Sequence, residues 1–230
     1  MERQSKPKQF PVIFGIIAIL ILLILVSFTT SAPVLRFLGF THISVAAFLT
    51  SRILYWLCLG LLILYSIKIE KQPLLIWGEK KYKIATYLLS VIIIFLVLFA
   101  GGLIIQKLLS FVSQAKSVRL SALLNIFRNN NPMLFFTAFT AGVVEELIFR
   151  GYLQPRLEII SNSPSLAIIL SSLLFGLLHY SYGTLFNVIG PVFIGLVFAL
   201  YYRKYKNITV LIVCHFLWDA ISLLILVKAH

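Results

Sequence analysis

A-G-V-V-E-E-L-I-F-R-G-Y-L, residues 141–153, is the stretch on which the fold turns. Two adjacent carboxylates, Glu145 and Glu146, sit inside an apolar run long enough to cross a bilayer. A charged side chain near the middle of a membrane helix costs about 2.5–3.5 kcal/mol on insertion scales. Two in succession are kept only where they face a protein interior and serve a purpose there.

The rest of the chain supplies that interior. It has 230 residues, 60% of them hydrophobic, and a mean hydropathy of +1.01. Soluble domains average nearer 45–50% apolar, so this is an integral membrane protein. The apolar runs read as seven spans, at about 10–28, 43–67, 84–106, 133–153, from the turn at Ser161–Pro164 to Tyr180, from after Phe186 to Tyr202, and 208–227. The first run exceeds the 7–15 residues of a signal-peptide core and reads as a retained helix. Between spans three and four, Lys107 to Asn131 alternates apolar residues (Leu108, Phe111, Val112, Ala115, Leu120, Leu123, Leu124, Phe127) with Lys116, Arg119 and Arg128. That pattern predicts an amphipathic helix along the membrane surface. The expected fold is all-α: a polytopic bundle of seven membrane helices plus one interfacial helix, or eight if that segment crosses.

The net charge of +13 raises the question of nucleic acid, but the basic residues fall mostly at the ends of apolar spans, as membrane orientation requires. With the N-terminus inside, thirteen Lys and Arg (residues 3, 6, 8, 68, 71, 80, 81, 83, 150, 156, 203, 204, 206) are cytoplasmic, against six outside (36, 107, 116, 119, 128, 228). The expectation is therefore a plasma-membrane protein with a cytoplasmic N-terminus, its partner the lipid bilayer rather than nucleic acid. Arg52, inside the second span, reads as snorkelling or marking the helix entry. Cys58 and Cys214 lie in apolar spans, so no disulfide framework is suggested. Cys214 and His215 point about 100° apart on a helix and do not form a dyad.

Five costly side chains remain, all in the C-terminal half: Glu145, Glu146, His179, His215 and Asp219. Glu146 and Arg150 are four apart, on one helix face, and can pair, leaving Glu145 to project into a cavity. His215 and Asp219 are also four apart, the geometry of two metal ligands or of two groups gripping one oxyanion. Gly176 near His179, and Ala138, Ala141 and Gly142 beside the carboxylates, let neighbouring helices approach. A buried carboxylate with two histidines suits water activation. Glu145, His179, His215 and Asp219 could instead form a Zn²⁺ shell.

The three spaced pairs, E-E-x-x-x-R at 145–150, F-x-x-x-H at 175–179 and H-x-x-x-D at 215–219, resemble the motifs of the CPBP intramembrane proteases, the CAAX-processing and bacteriocin-processing (Abi) family. The resemblance covers about Pro132 to Val227. It divides one integral membrane domain into N-terminal helices with the amphipathic connector (1–131) and catalytic helices (132–230). It implies an endopeptidase that hydrolyses a peptide bond of a membrane-associated protein or peptide, with Glu145 as general base, His179 its partner, and Glu146 and Arg150 in support. His215 and Asp219 would stabilise the oxyanion or hold a metal. The last position is often Asn in that family, and Asp219 there favours metal ligation or a shared proton. The family has been described as both metallo- and glutamate-dependent. The short basic chain looks bacterial, which favours a peptide or membrane-protein substrate, as in bacteriocin immunity, over a prenylated one. Two other classes compete: a proton-coupled transporter with a Glu145–Glu146–His179 relay, and a non-catalytic immunity or scaffold protein.

Overall fold

The computed structural model describes residues 9–30, 32–37, 43–111 and 117–229. Residues 3, 6, 8, 112, 115 and 116, used above in the charge count and the amphipathic pattern, lie outside them. Among the described residues there are ten α-helices: α1 (Gln9–Phe28), α2 (Ala32–Phe37), α3 (Val45–Tyr65), α4 (Ile84–Ser110), α5 (Val118–Phe127), α6 (Asn131–Thr140), α7 (Gln154–Ser161), α8 (Pro164–Leu177), α9 (Phe186–Tyr205) and α10 (Ile208–Ala229). No strand occurs among the described residues. Lipid offers no partners to backbone N–H and C=O groups, so apolar runs of this length close their hydrogen bonds within a helix.

Among the described residues seven helical stretches are long and apolar enough to span a membrane: Gln9–Phe28, Val45–Glu70, Ile84–Ser110, Asn131–Ser161, Pro164–Tyr182, Phe186–Tyr205 and Ile208–Ala229. Polar residues set their ends. Ser44, Ser117, Asn130 and Ser163 each accept a backbone N–H three residues on, filling an otherwise orphaned donor. Lys71, Asn162 and Lys206 stop the chain in the left-handed region, with φ of 57°, 51° and 50°.

The stretch from Lys107 to Asn131 is not one amphipathic helix. Leu108 continues α4, which runs to Ser110, and the separate α5 begins only at Val118. Helix α5 turns Leu123 and Phe127 onto Phe48 and onto Leu223, Leu224 and Val227 of α10. Its apolar stripe is therefore spent on the protein. The fourth span is also longer than the apolar run alone predicts, because the polar α7 prolongs it to Ser161.

That fourth span is the axis of the molecule: 61% of its most apolar window is buried, against 11–33% for the others. Helices α1 and α3 cover one side, with Ile16, Leu23 and Leu62 packed with Ile148, Phe149 and Tyr152. Helix α10 covers another, at a distance only a glycine permits. A Cβ on Gly142 would come within 2.9 Å of the Ile212 carbonyl oxygen and the Phe216 nitrogen. Gly176 plays the same part between α8 and α9, where a Cβ would meet the Val188 carbonyl at 2.8 Å.

One end of the bundle is tied by polar contacts. Arg156 of α7 is fully buried and pairs with Glu70 at 2.6 Å, and it also donates to the Ser66 hydroxyl and the Leu74 carbonyl. The connector after Glu70 is stitched to the α9–α10 turn, where the Lys80 N–H donates to the Lys206 carbonyl and the Asn207 side-chain amide donates to the Lys80 carbonyl. The Glu79 carboxylate accepts from the first N–H of α10. Burial raises its carboxyl above the ordinary value, and the Ile208 and Thr209 N–H groups oppose that rise.

Candidate active site

The helix carrying the two glutamates is not wound as a plain α-helix. Ala141–Glu145 and Leu147–Leu153 adopt the wider π form on either side of Glu146, a departure that recurs at functional sites. The spacing argument from the sequence survives it. Arg150 Nη1 donates to Oε1 of Glu146 at 2.9 Å, with both side chains buried. Arg150 also donates to the Gly195 carbonyl at 3.3 Å. Its guanidinium lies 4.5 Å from the Phe175 ring centroid and 5.4 Å from that of Phe198. Close approach at Gly142 brings α10 near enough for His215 Nδ1 to donate to the same Glu146 oxygen at 2.7 Å. Nε2 of His215 faces Oδ2 of Asp219 at 3.5 Å, too long for a good hydrogen bond. Arg150, Glu146, His215 and Asp219 thus form one chain of charge running from the fourth span into α10.

Glu145 and His179 stand apart from that chain. Both line a cavity of about 40 Å³, room for water, since one molecule needs roughly 10–15 Å³ on this measure. Oε2 of Glu145 is buried with no hydrogen-bond partner. His179 lies where α8 tightens into the 3₁₀ turn Leu178–Tyr182. Its Nδ1 donates to the Phe175 carbonyl at 2.9 Å, which fixes the tautomer and leaves Nε2 with a free lone pair. Its ring stacks on Tyr182, with centroids 6.2 Å apart. Phe149 and Phe175 wall the cavity, and Leu23 and Ser27 of α1 close it.

The six expected residues therefore fall into two groups rather than one. Glu145 and His179 face the cavity, whereas Glu146, Arg150 and His215, with the partly exposed Asp219 beyond them, do not line it. Phe175 is the hinge between the groups, with its ring 5.2 Å from His179 and 6.0 Å from His215. Cys214 is fully buried among α4 and α9 side chains, away from any nucleophilic role. Among the described residues no three His, Cys, Asp or Glu side chains converge to hold a metal ion. Glu145, His179, His215 and Asp219 as arranged do not fit a zinc shell.

Sequence reading missed two cavity residues. Arg52 lines the cavity, its guanidinium over the rings of Phe48 and Tyr55. Arg119, assigned to a surface face, lines it too. An arginine inside an apolar span was the available signal for Arg52. Nothing in the sequence linked Arg119 to the site.

Comparison with known proteins bears on the same residues. The family model described as type II CAAX prenyl endopeptidase Rce1-like matches residues 127–221, from the end of α5 through Asp219. Over these residues the chain is similar to the Rce1-like family. No curated protein and no solved structure matches. The family is one of proteases, and the Rce1-like region contains both glutamates, both histidines and Arg150.

Proposed function

We propose that the protein is an intramembrane endopeptidase in which Glu145 and His179 act on one water molecule. The observation that carries this is the pair itself: Glu145, with one carboxylate oxygen unpartnered, and His179, with Nδ1 held by the Phe175 carbonyl, line one water-sized cavity. Glu145 takes a proton from water as the water oxygen bonds to the scissile carbonyl carbon. The same proton passes to the departing amine as the C–N bond breaks. Nε2 of His179 accepts the water's second hydrogen and aims its lone pair. A positioned acid–base group contributes typically 10²–10⁴-fold.

Glu146, Arg150 and His215 are positioning residues in this scheme. A buried carboxylate shared by a guanidinium and an imidazole locks the π-wound helix against α10 and sets the direction of Glu145. Because the donor set does not close into a ligand shell, no step passes through a metal. Full activity after chelation, with no stoichiometric metal in the purified protein, is the expected result; loss on chelation with recovery on adding Zn²⁺ would overturn it.

Charge distribution supports a side of the membrane for the substrate. Ser27, Arg52, Arg119 and His179 come from helix ends that up-and-down threading places together. Lys68, Lys71, Lys80, Lys81, Lys83, Arg203, Lys204 and Lys206 gather at the other end. The positive-inside rule makes that basic end cytoplasmic. The N-terminus is then inside, and the cavity lies toward the outer leaflet, where a membrane-associated peptide or protein would reach it. A thiol introduced as Thr184→Cys should react with a membrane-impermeant reagent on intact cells, and one introduced as Lys81→Cys should not; the reverse pattern would invert the orientation.

A further inference from the structure

Two arginines line this cavity beside Glu145, and among the described residues neither forms an ion pair. Arg52 of α3 holds its guanidinium 4.9 Å from the Phe48 centroid and 4.6 Å from that of Tyr55. Among the described residues its hydrogen bond is from Nε to the Ser51 hydroxyl, at 3.3 Å. Arg119 of α5 donates through Nη2 to the Ser27 carbonyl at 2.8 Å and the Thr30 hydroxyl at 2.6 Å. Its Nε is buried without a partner, and its guanidinium sits 5.1 Å from the Tyr182 centroid. The ion pairs among the described residues include neither arginine and do not include Glu145. Arg52, Arg119 and Glu145 line the same cavity together with Tyr55, so all three act on one small volume.

Two guanidinium groups against one carboxylate leave an excess positive charge where water is scarce. Stacking on aromatic rings holds such groups in fixed planes while their N–H edges stay available. A planar fork of donors is the partner chemistry of a carboxylate. We infer that Arg52 and Arg119 form an anion subsite that holds a carboxylate of the substrate beside the reacting water. The inference rests on the proteolytic reading of Glu145 and His179. Both arginines lie outside the Rce1-like region, so this subsite is built by the N-terminal helices. The carboxylate can be a chain terminus or an acidic side chain, and the test tells them apart.

The experiment measures equilibrium binding of three radiolabelled peptides to the full chain in nanodiscs, with Glu145→Gln in every sample to prevent turnover. The probes are acetyl-Ala-Leu-Leu-Val as free acid, the same peptide as amide, and acetyl-Ala-Leu-Glu-Val amide. One carboxylate probe should bind about 10-fold or more tighter than the plain amide, as a charge-assisted hydrogen bond gives, and which one does so identifies the source. Adding Arg52→Gln or Arg119→Gln should bring the preference to within about twofold. Equal binding of all three probes with both arginines in place overturns the inference without relying on any arginine variant. So does a preference that survives the double substitution. Arginine variants made in Glu145 protein that lower cleavage equally on acid and amide substrates, with no binding preference in the Glu145→Gln samples, would place these groups at the oxyanion and also overturn it. Carboxylate preference in a protein whose Glu145 form cleaves no peptide would uphold the subsite and remove the proteolytic reading.

Discussion

Nδ1 of His215 and Nη1 of Arg150 share a single acceptor, Oε1 of Glu146, at 2.7 and 2.9 Å. Three ionisable side chains from two helices are thereby fixed to one atom in the driest part of the bundle. Buried charges of this kind are costly unless each is answered, and removing one leaves the others stranded.

Glu146→Ala should therefore be a stability lesion as well as an activity lesion. Breaking a buried pair by removing one partner costs about 3–5 kcal/mol, and Arg150 would keep only the Gly195 carbonyl. Thermal unfolding in detergent should show a large drop in midpoint. An unchanged midpoint would mean that Arg150 finds another partner and that the shared oxygen is not what holds α10.

Gly142 sets the distance across which that oxygen is shared. A methyl group there meets backbone atoms of α10 at 2.9 Å, which cannot swing aside as a side chain can. Gly142→Ala should cost about 1–3 kcal/mol, the usual range for overpacking, and should reduce kcat by separating His215 from Glu146. Gly102, with open space around its Cβ position, is the control: Gly102→Ala should leave both stability and cleavage unchanged.

The Arg156–Glu70 pair gives a contrasting case. It is as buried as the Glu146 group but ties the connector to α7, away from the cavity. Glu70→Gln should lower the unfolding midpoint while the folded fraction keeps its kcat and KM. A selective fall in kcat, measured on folded protein, would mean that the basic end communicates with the site.

The architecture and the site were legible to different degrees, for physical reasons. Seven spans follow from apolar run length, since lipid leaves a helix as the only way to satisfy the backbone. The Glu146–Arg150 contact follows from spacing within one element. Division of the six polar residues into a cavity pair and a packed chain did not follow. It depends on how closely α10 approaches Gly142 and on π winding around Glu146, both set by tertiary packing. The cavity roles of Arg52 and Arg119 were hidden similarly, because α3 and α5 meet the fourth span only in the folded bundle. The amphipathic stretch misled because its apolar stripe fits a protein surface as well as it fits a lipid one.

His179 offers a sharper test of orientation than of presence. Its Nδ1 is held by the Phe175 carbonyl, so Nε2 alone meets the water. His179→Gln should lower kcat by about 10²-fold or more, the lower range for a positioned proton-transfer partner, with little change in KM. A pure KM effect would make His179 a substrate contact instead.

The most direct test of the central claim is cleavage of a membrane-peptide substrate by Glu145→Gln protein in proteoliposomes, beside Glu145 protein matched for folded fraction. The substitution keeps shape and burial but removes the base. The account predicts a fall in kcat of about 10³-fold, within the span of general-base catalysis, with an unchanged unfolding midpoint. Cleavage retained within about tenfold would show that water is activated elsewhere.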